Sequence, residues 1–236
     1  ALCWAVLAIA LKYSSFFSSS GNIVWVRMVT ASLVLFSLFY WKKRKYLKIL
    51  RRPPLLAIFA GLDLAINYFG FMKGVELTTA GNTQIMIQSA PMLLILVGVF
   101  YFKEPLRGLQ LLGVLLAFMG FSFFYWDQII LSFVDKEKYF TGNLWIYLAA
   151  VTWVLFASFQ KILSKRVSPQ EINLIIYIVA AIGLFPLAQL QELSDLSFFQ
   201  WAFLIALGLN TIVAYGALGE ALKRIPASHV SLIIAL

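Results

Sequence analysis

Charge is scarce in this sequence. Asp, Glu, Lys and Arg make up 12% of its 236 residues, where ordinary soluble domains carry about a quarter. Against a hydrophobic content of 62%, that scarcity excludes a conventional soluble domain. Cysteine and histidine are each present once, as Cys3 and His229. One Cys forms no internal disulfide and is most simply a small buried hydrophobe. One His builds no metal site, and a local hydrogen bond is its simplest use. No Cys pair, His pair at ligand spacing, phosphate-binding loop or repeated Asp-rich motif is present. The sequence therefore gives no reason to expect an enzyme, a metal or a cofactor. A channel would want rings of charge or a carbonyl filter, and neither is visible.

What is present is a series of apolar runs, each about one bilayer thick. They fall near residues 1–17, 22–41, 53–73, 82–102, 108–126, 143–160, 172–190 and 198–219, and a ninth begins near Ala227. A helix needs roughly 20 apolar residues to cross the hydrocarbon core. Barrel strands would alternate over about 10 residues with a polar lumen face. These runs are twice as long and apolar on all sides, so they predict helices. The chain reads as an all-α, multi-pass membrane protein.

The net charge of +9 suggests nucleic acid only until the basic residues are placed. Lys42, Lys43, Arg44, Lys45, Lys48, Arg51 and Arg52 share one loop. Lys103, Arg107, Lys161, Lys165, Arg166, Lys223 and Arg224 fall on the same side of the membrane if the runs alternate in direction. The positive-inside rule makes that side cytoplasmic. The segment Gln191–Ser197, with Glu192 and Asp195 and no basic residue, suits the outer face. Loop 42–52 is then an orientation signal resting on anionic lipid, and no nucleic-acid partner is expected, since aromatic interleaving is missing.

The first run has neither an initiator Met nor flanking charge, and the ninth is short. The expectation is a piece of a longer chain. A cleaved signal peptide is the alternative for 1–17, although a basic start and a small-residue cleavage site are lacking.

Self-comparison reveals an internal repeat. Trp4 to Lys12 aligns with Trp153 to Lys161 at a spacing of 149, with Trp, Ala and Lys coincident. Phe69-Gly70 aligns with Tyr215-Gly216, and Ala80-Gly81-Asn82 with Pro226-Ala227-Ser228, at a spacing of 146. Five runs precede the second copy, and an odd number inverts it in the membrane. That is the plan of many secondary transporters, whose site lies near the midplane between the halves.

These stretches, with Arg27, Tyr68-Phe69-Gly70 through Thr79-Ala80-Gly81, Ser89-Ala90-Pro91, Glu104, Gly108 to Gly120 and Tyr215-Gly216-Ala217-Leu218, resemble the drug/metabolite transporter superfamily. Within it they are most similar to the EamA-type exporters, over the whole chain. The resemblance implies two inverted five-helix bundles, ten helices in all, with both termini cytoplasmic. Residues 1–126 would form the first repeat and 143–236 a second that stops short. It also implies export of small organic metabolites. Arg27 departs from the repeat, since Asn173 or Ile176 stands in its place.

Asp63 is the first candidate for function. It lies about ten residues inside the third run, where a carboxylate costs roughly 2.5–3.5 kcal/mol on insertion scales. It must face a cavity, find a partner or be protonated. A proton or substrate-amine site and a structural ion pair are both open. Arg27, in the second run, either holds a carboxylate through two parallel hydrogen bonds or snorkels outward. Its depth differs from that of Asp63 by ~6–9 Å at the rise of a helix. Asn67 shares a helix face with Asp63, and Tyr68 follows. Gln84 and Gln88 repeat the four-residue spacing, and Pro91 marks a kink or hinge that frees a carbonyl near Ile87. Asn210 stands one residue from the repeat equivalent of Asp63. Tyr68 and Tyr215 are candidates to stack on substrate, while the remaining aromatics suit the interfaces and the lipid face. Gly108, Gly113, Ala117 and Gly120 read as helix-packing positions. Glu104-Pro105 reads as a helix start or a partner for cytoplasmic basic residues.

The expected function is an inner-membrane secondary transporter that exports small organic metabolites, amino acids or related zwitterions among them, by alternating access. Its partners would be that substrate and membrane lipids, with protons as coupling ion and an exchange mode both open. A non-transporting scaffold or lipid-handling protein of the same fold is the alternative. The sequence fixes no oligomeric state.

Overall fold

The fold is that of a computed structural model, which describes residues 4, 7–105, 108–134 and 136–235. Every regular element among them is helical. In hydrocarbon each backbone group must find its partner inside the segment, and an unbroken helix does this. The elements are α1 (Leu7–Ser14), α2 (Ser20–Lys42), a 3-10 helix (Arg44–Arg51), α3 (Leu55–Leu77), α4 (Ala80–Met86) and α5 (Ser89–Phe100). They continue with α6 (Gly108–Val134), α7 (Lys136–Leu163), α8 (Pro169–Leu184), a 3-10 turn (Phe185–Leu187), α9 (Leu190–Ser194), α10 (Phe198–Arg224) and α11 (Ala227–Ala235).

Six stretches are long and apolar enough to cross a membrane: Ser20–Lys42, Leu55–Leu77, Ala80–Phe100, Tyr139–Leu163, Pro169–Leu187 and Phe198–Arg224. Each coincides with one of the eight full runs, to within three residues at either end where the run overhangs it. The first run is described as a helix only over Leu7–Ser14 and at Trp4. The fifth lies inside the 27-residue α6. The interval expected as a loop between the fifth and sixth runs is helical on both sides of residue 135. It contains no Gly or Pro from Trp126 to Phe140, so nothing in its chemistry stops a helix.

Local chemistry sets several helix ends. Ser168 and Glu171 form a reciprocal capping box at the start of α8, with Pro169 in the first turn. Ser197 and Gln200 do the same for α10, and the Thr79 hydroxyl accepts the Asn82 N–H at the start of α4. These caps satisfy amide groups that have no partner within the helix. The Lys12 ammonium donates to the carbonyls of Val75 at 2.8 Å and Thr78 at 3.1 Å, where α3 ends. A cation is favourable at that negative end of the helix dipole.

The core lies where α3 packs against α7 and α8, and α2 against α8 and α10. Two close approaches recur across it. A Cβ added to Gly61 of α3 would stand 2.7 Å from Val179 Cβ and 3.1 Å from the Ile176 carbonyl. One added to Gly208 of α10 would stand 2.5 Å from Thr30 Cβ and 3.2 Å from the Arg27 carbonyl. Gly61 and Gly208 are 147 apart, and Arg27 and Ile176, like Thr30 and Val179, are 149 apart. The same small-residue contact thus joins α3 to α8 and α10 to α2. Gly108, Gly113 and Gly120 differ from expectation: an added Cβ meets nothing within 4 Å at any of them. No close helix approach is therefore seen at them among the described residues, and the side chain of Ala117 lies outside what is described.

The break between α4 and α5 falls at Ile87 and Gln88, one turn before Pro91. The missing proline N–H would leave the Ile87 carbonyl unpaired. The Ala90 N–H takes that carbonyl instead, at 2.9 Å. The kink therefore leaves no open backbone acceptor at Ile87.

Candidate functional site

A cavity of about 90 Å³ opens where α2, α3, the α4–α5 break, α7 and α10 converge. Its polar lining comes from Arg27, Asn67, Tyr68, Gln84, Gln88 and Tyr215. Its apolar walls include Trp4, Phe71, Pro91 and Trp153. Seven of the sequence candidates meet there: Arg27, Asn67, Tyr68, Gln84, Gln88, Pro91 and Tyr215. Asp63 and Asn210 are not among the lining residues. On α3 the cavity is reached by Asn67, Tyr68 and Phe71, and Asp63 lies one helical turn, about 6 Å, before them. Asn210 is half-buried, and its neighbour Thr211, turned about 100° around the helix, is the residue that meets the Arg27 group.

Arg27 is the centre of that group. It is 3% exposed. Its Nη2 donates to Thr211 Oγ1 at 3.3 Å, and its guanidinium carbon lies 4.4 Å from the centre of the Tyr68 ring. The Tyr68 hydroxyl donates to the same Thr211 oxygen at 3.3 Å, while Thr211 Oγ1 donates to the Leu207 carbonyl at 3.0 Å. Thr211 therefore fastens the arginine and the tyrosine to α10. No carboxylate meets Arg27 among the described residues, and its Nε has no hydrogen-bond partner. The pairing with Asp63 left open by the sequence is not formed. Asp63 itself is half-buried, with no hydrogen bond or salt bridge among the described residues.

The aromatic wall is held from behind. Tyr215 packs edge-on against Trp4 at 5.7 Å and Phe156 at 5.4 Å, and lies 5.8 Å from Tyr68. Its carbonyl accepts from Asn173 Nδ2 at 3.1 Å, and Asn173 Oδ1 accepts from Gln160 Nε2 at 2.6 Å. Asn67 Nδ2 donates to the Ala149 carbonyl at 2.8 Å, tying α3 to α7. Thr211, Trp4, Phe71 and Trp153 were not singled out as site residues in the sequence. Trp4 and Trp153 carried a signal, since they are the coincident tryptophans of the repeat. Thr211 carried none, because an isolated Thr in an apolar run is unremarkable without its neighbours.

Membrane-length helices thus surround a part-polar cavity. The sequence matches the EamA-like transporter family over residues 1–126 and 140–236, and the chain belongs to that family. It is 33% identical to the "Uncharacterized inner membrane transporter YhbE" of Escherichia coli (strain K12), over 100% of this chain and 74% of that one. An "Uncharacterized transporter" of Haemophilus influenzae is 29% identical over 100% of this chain and 77% of its own length. A protein of known crystal structure superposes with a TM-score of 0.73 at 18% identity, covering 99% of this chain and 80% of that one. At that identity the likeness is one of fold. The chain is a multi-pass inner-membrane protein, and its family and relatives point to transport rather than catalysis.

Proposed function

We propose that this protein is a secondary transporter that exports small organic metabolites by alternating access, with the central cavity as its binding site. The observation that carries the reading is the makeup of the cavity wall. Arg27, Asn67, Tyr68, Gln84 and Gln88 come from the first half of the sequence, and Trp153 and Tyr215 from the second. A site between two halves that rock against each other is the arrangement transporters use.

The halves are residues 1–126 and 143–236, read as inverted five-helix bundles of a ten-helix protein. The recurrent contacts of Gly61 with α8 and Gly208 with α10's partner α2 support this. Trp4 and Trp153 facing one cavity support it too. Loop 42–52 lies in the cytoplasm on this reading. Protons are the coupling ion, with Asp63 the mid-membrane carboxylate available to carry them. Amino acids and related zwitterions, with organic acids beside them, are the substrates to try, and the kink before Pro91 is the place for α4 and α5 to flex.

Proteoliposomes of the full-length protein, loaded with an amino-acid and organic-acid panel, test the reading. Uptake or release of at least one compound that depends on a sealed, energised membrane is expected. Equal behaviour of protein-containing and protein-free vesicles across the panel would overturn it.

A further inference from the structure

The cavity carries a buried positive charge that the described residues leave uncompensated. Arginine stays protonated in any protein environment. Burying its charge without a counter-charge is costly, because the lost hydration is not replaced. Here Arg27 is 3% exposed, one of its nitrogens is bonded to Thr211, its face rests on Tyr68, and its Nε has no partner. The guanidinium has five donors in a fixed planar fork, and a single one is used among the described residues. Among the described residues no carboxylate lines the cavity with it. Tyr68 and Thr211 do not neutralise it; they hold its plane in one orientation.

We propose that the cavity selects a small organic monoanion, a carboxylate with a flat apolar body, whose carboxylate pairs with Arg27. This deepens the transport reading and rests on it. A carboxylate matches the guanidinium fork with two parallel charge-assisted hydrogen bonds. Removed from water, such a pair is worth much more than on a surface. The body of the ligand then meets Trp4, Phe71, Trp153 and Tyr215, rings with the area to cover an aromatic or branched aliphatic group. Gln84 also lines the cavity and makes no hydrogen bond among the described residues, so its amide is available for one neutral polar group. An ammonium group finds no anionic side chain in the lining among the described residues. Net anions are therefore preferred over zwitterions, and zwitterions over amines.

The test uses full-length protein in nanodiscs of phosphatidylcholine alone, so that no anionic lipid competes for Arg27. The quenching of intrinsic tryptophan fluorescence, to which Trp4 and Trp153 contribute from the cavity wall, reports binding. The probes are acetate, benzoate and 3-phenylpropionate, with 3-phenylpropionamide and 3-phenylpropylamine as neutral and cationic counterparts. The expected result is saturable binding of 3-phenylpropionate at least tenfold tighter than of either counterpart, with benzoate tighter than acetate. Arg27→Gln should weaken the carboxylate at least tenfold and leave the amide within twofold; Arg27→Lys should restore part of the loss. Equal affinity for carboxylate and amide in the unmodified protein would overturn the proposal, whatever the variants do. So would the failure of all three carboxylates to bind. The two readings fail separately. Gradient-dependent flux of neutral or cationic compounds with no carboxylate binding keeps the transporter and removes the anion site. Carboxylate binding on Arg27 with no flux of any compound does the reverse.

Discussion

Arg27 and Asp63 are the two charges deep in the membrane-spanning part of the first half, and the structure gives them separate surroundings. Arg27 rests on Tyr68 and Thr211. Asp63 is half-buried one turn away along α3 and makes no salt bridge among the described residues. Their substitutions should therefore act independently. In a double-mutant cycle of Asp63→Asn and Arg27→Gln, read by thermal unfolding in detergent, the coupling is expected within about 0.5 kcal/mol of zero. A coupling of 1.5 kcal/mol or more would mean the two charges meet in the membrane-embedded protein. Asp63→Asn alone should not lower the melting temperature, since it removes a charge that has no counter-charge to lose. If Asp63 carries the coupling proton, the same variant abolishes gradient-driven flux and spares substrate-for-substrate exchange. Thr211 offers a second residue-scale test. Thr211→Val keeps the shape and removes an oxygen that accepts two hydrogen bonds. A loss of about 1–3 kcal/mol in stability is expected from leaving buried donors unpaired.

At the scale of elements, one carboxylate joins three helices. Glu104 lies in the turn after α5, beyond the membrane-spanning stretch. Its Oε1 accepts from Lys161 Nζ at 2.6 Å, at the end of α7, and from the Ala227 N–H at 2.8 Å. Its Oε2 accepts from the Ser228 N–H and hydroxyl, each at 2.9 Å. Glu104 thus caps α11 and pairs with α7 in one contact, a favourable place for an anion at a helix start. Gly98 makes room for it: an added Cβ there would stand 2.8 Å from Glu104 Oε2. Burial pushes the carboxyl upward, but Lys161, the two backbone N–H groups and the Ser228 hydroxyl outweigh it and bring it from an ordinary 4.5 down to about 2. A depressed carboxylate stabilises the fold fully above its unfolded value and loses that contribution as pH falls through the folded one. The melting temperature of the unmodified protein should therefore fall between pH 4.5 and about 2 by more than that of Glu104→Gln. Parallel curves for the two would remove Glu104 from the linkage. Gly98→Val, measured at neutral pH, should cost about 1–3 kcal/mol by overpacking, and less when Glu104→Gln is already present.

For the whole molecule, the orientation and the twofold plan are open to direct test. The concentration of basic residues in 42–52 predicts that loop in the cytoplasm, and the acidic Gln191–Ser197 segment outside. In a Cys3→Ser background, a cysteine at position 194 should react with an impermeant maleimide on intact cells. One at position 45 should react only after lysis, and the opposite pattern would invert the topology. Gly61→Val and Gly208→Val probe the recurrent contact. Each forces apart one helix pair, α3 from α8 or α10 from α2, at distances of 2.7 and 2.5 Å for a Cβ alone. Both should lose stability and flux to a similar degree if the halves play equivalent parts.

The sequence by itself determined the class of this protein, because bilayer thickness writes itself into run length and the backbone's need for internal hydrogen bonds leaves helices as the answer. It also suggested a repeat through the paired tryptophans and lysines, and placed a kink in the fourth run through Pro91, where the helix breaks at Ile87 and Gln88. These are local or periodic signals, carried by residues close in the chain. Only the tertiary structure decided which polar residues share a cavity. Gln84, Gln88 and Asn67 line it while Asp63 does not, because helix rotation and tilt depend on close contacts such as Gly61 on Val179 and Gly208 on Thr30, between residues more than a hundred positions apart. The partner of Arg27 was likewise invisible: it is Thr211, 184 residues away. A run of apolar residues fixes that a helix crosses the membrane, whereas the face it turns inward is set by its neighbours.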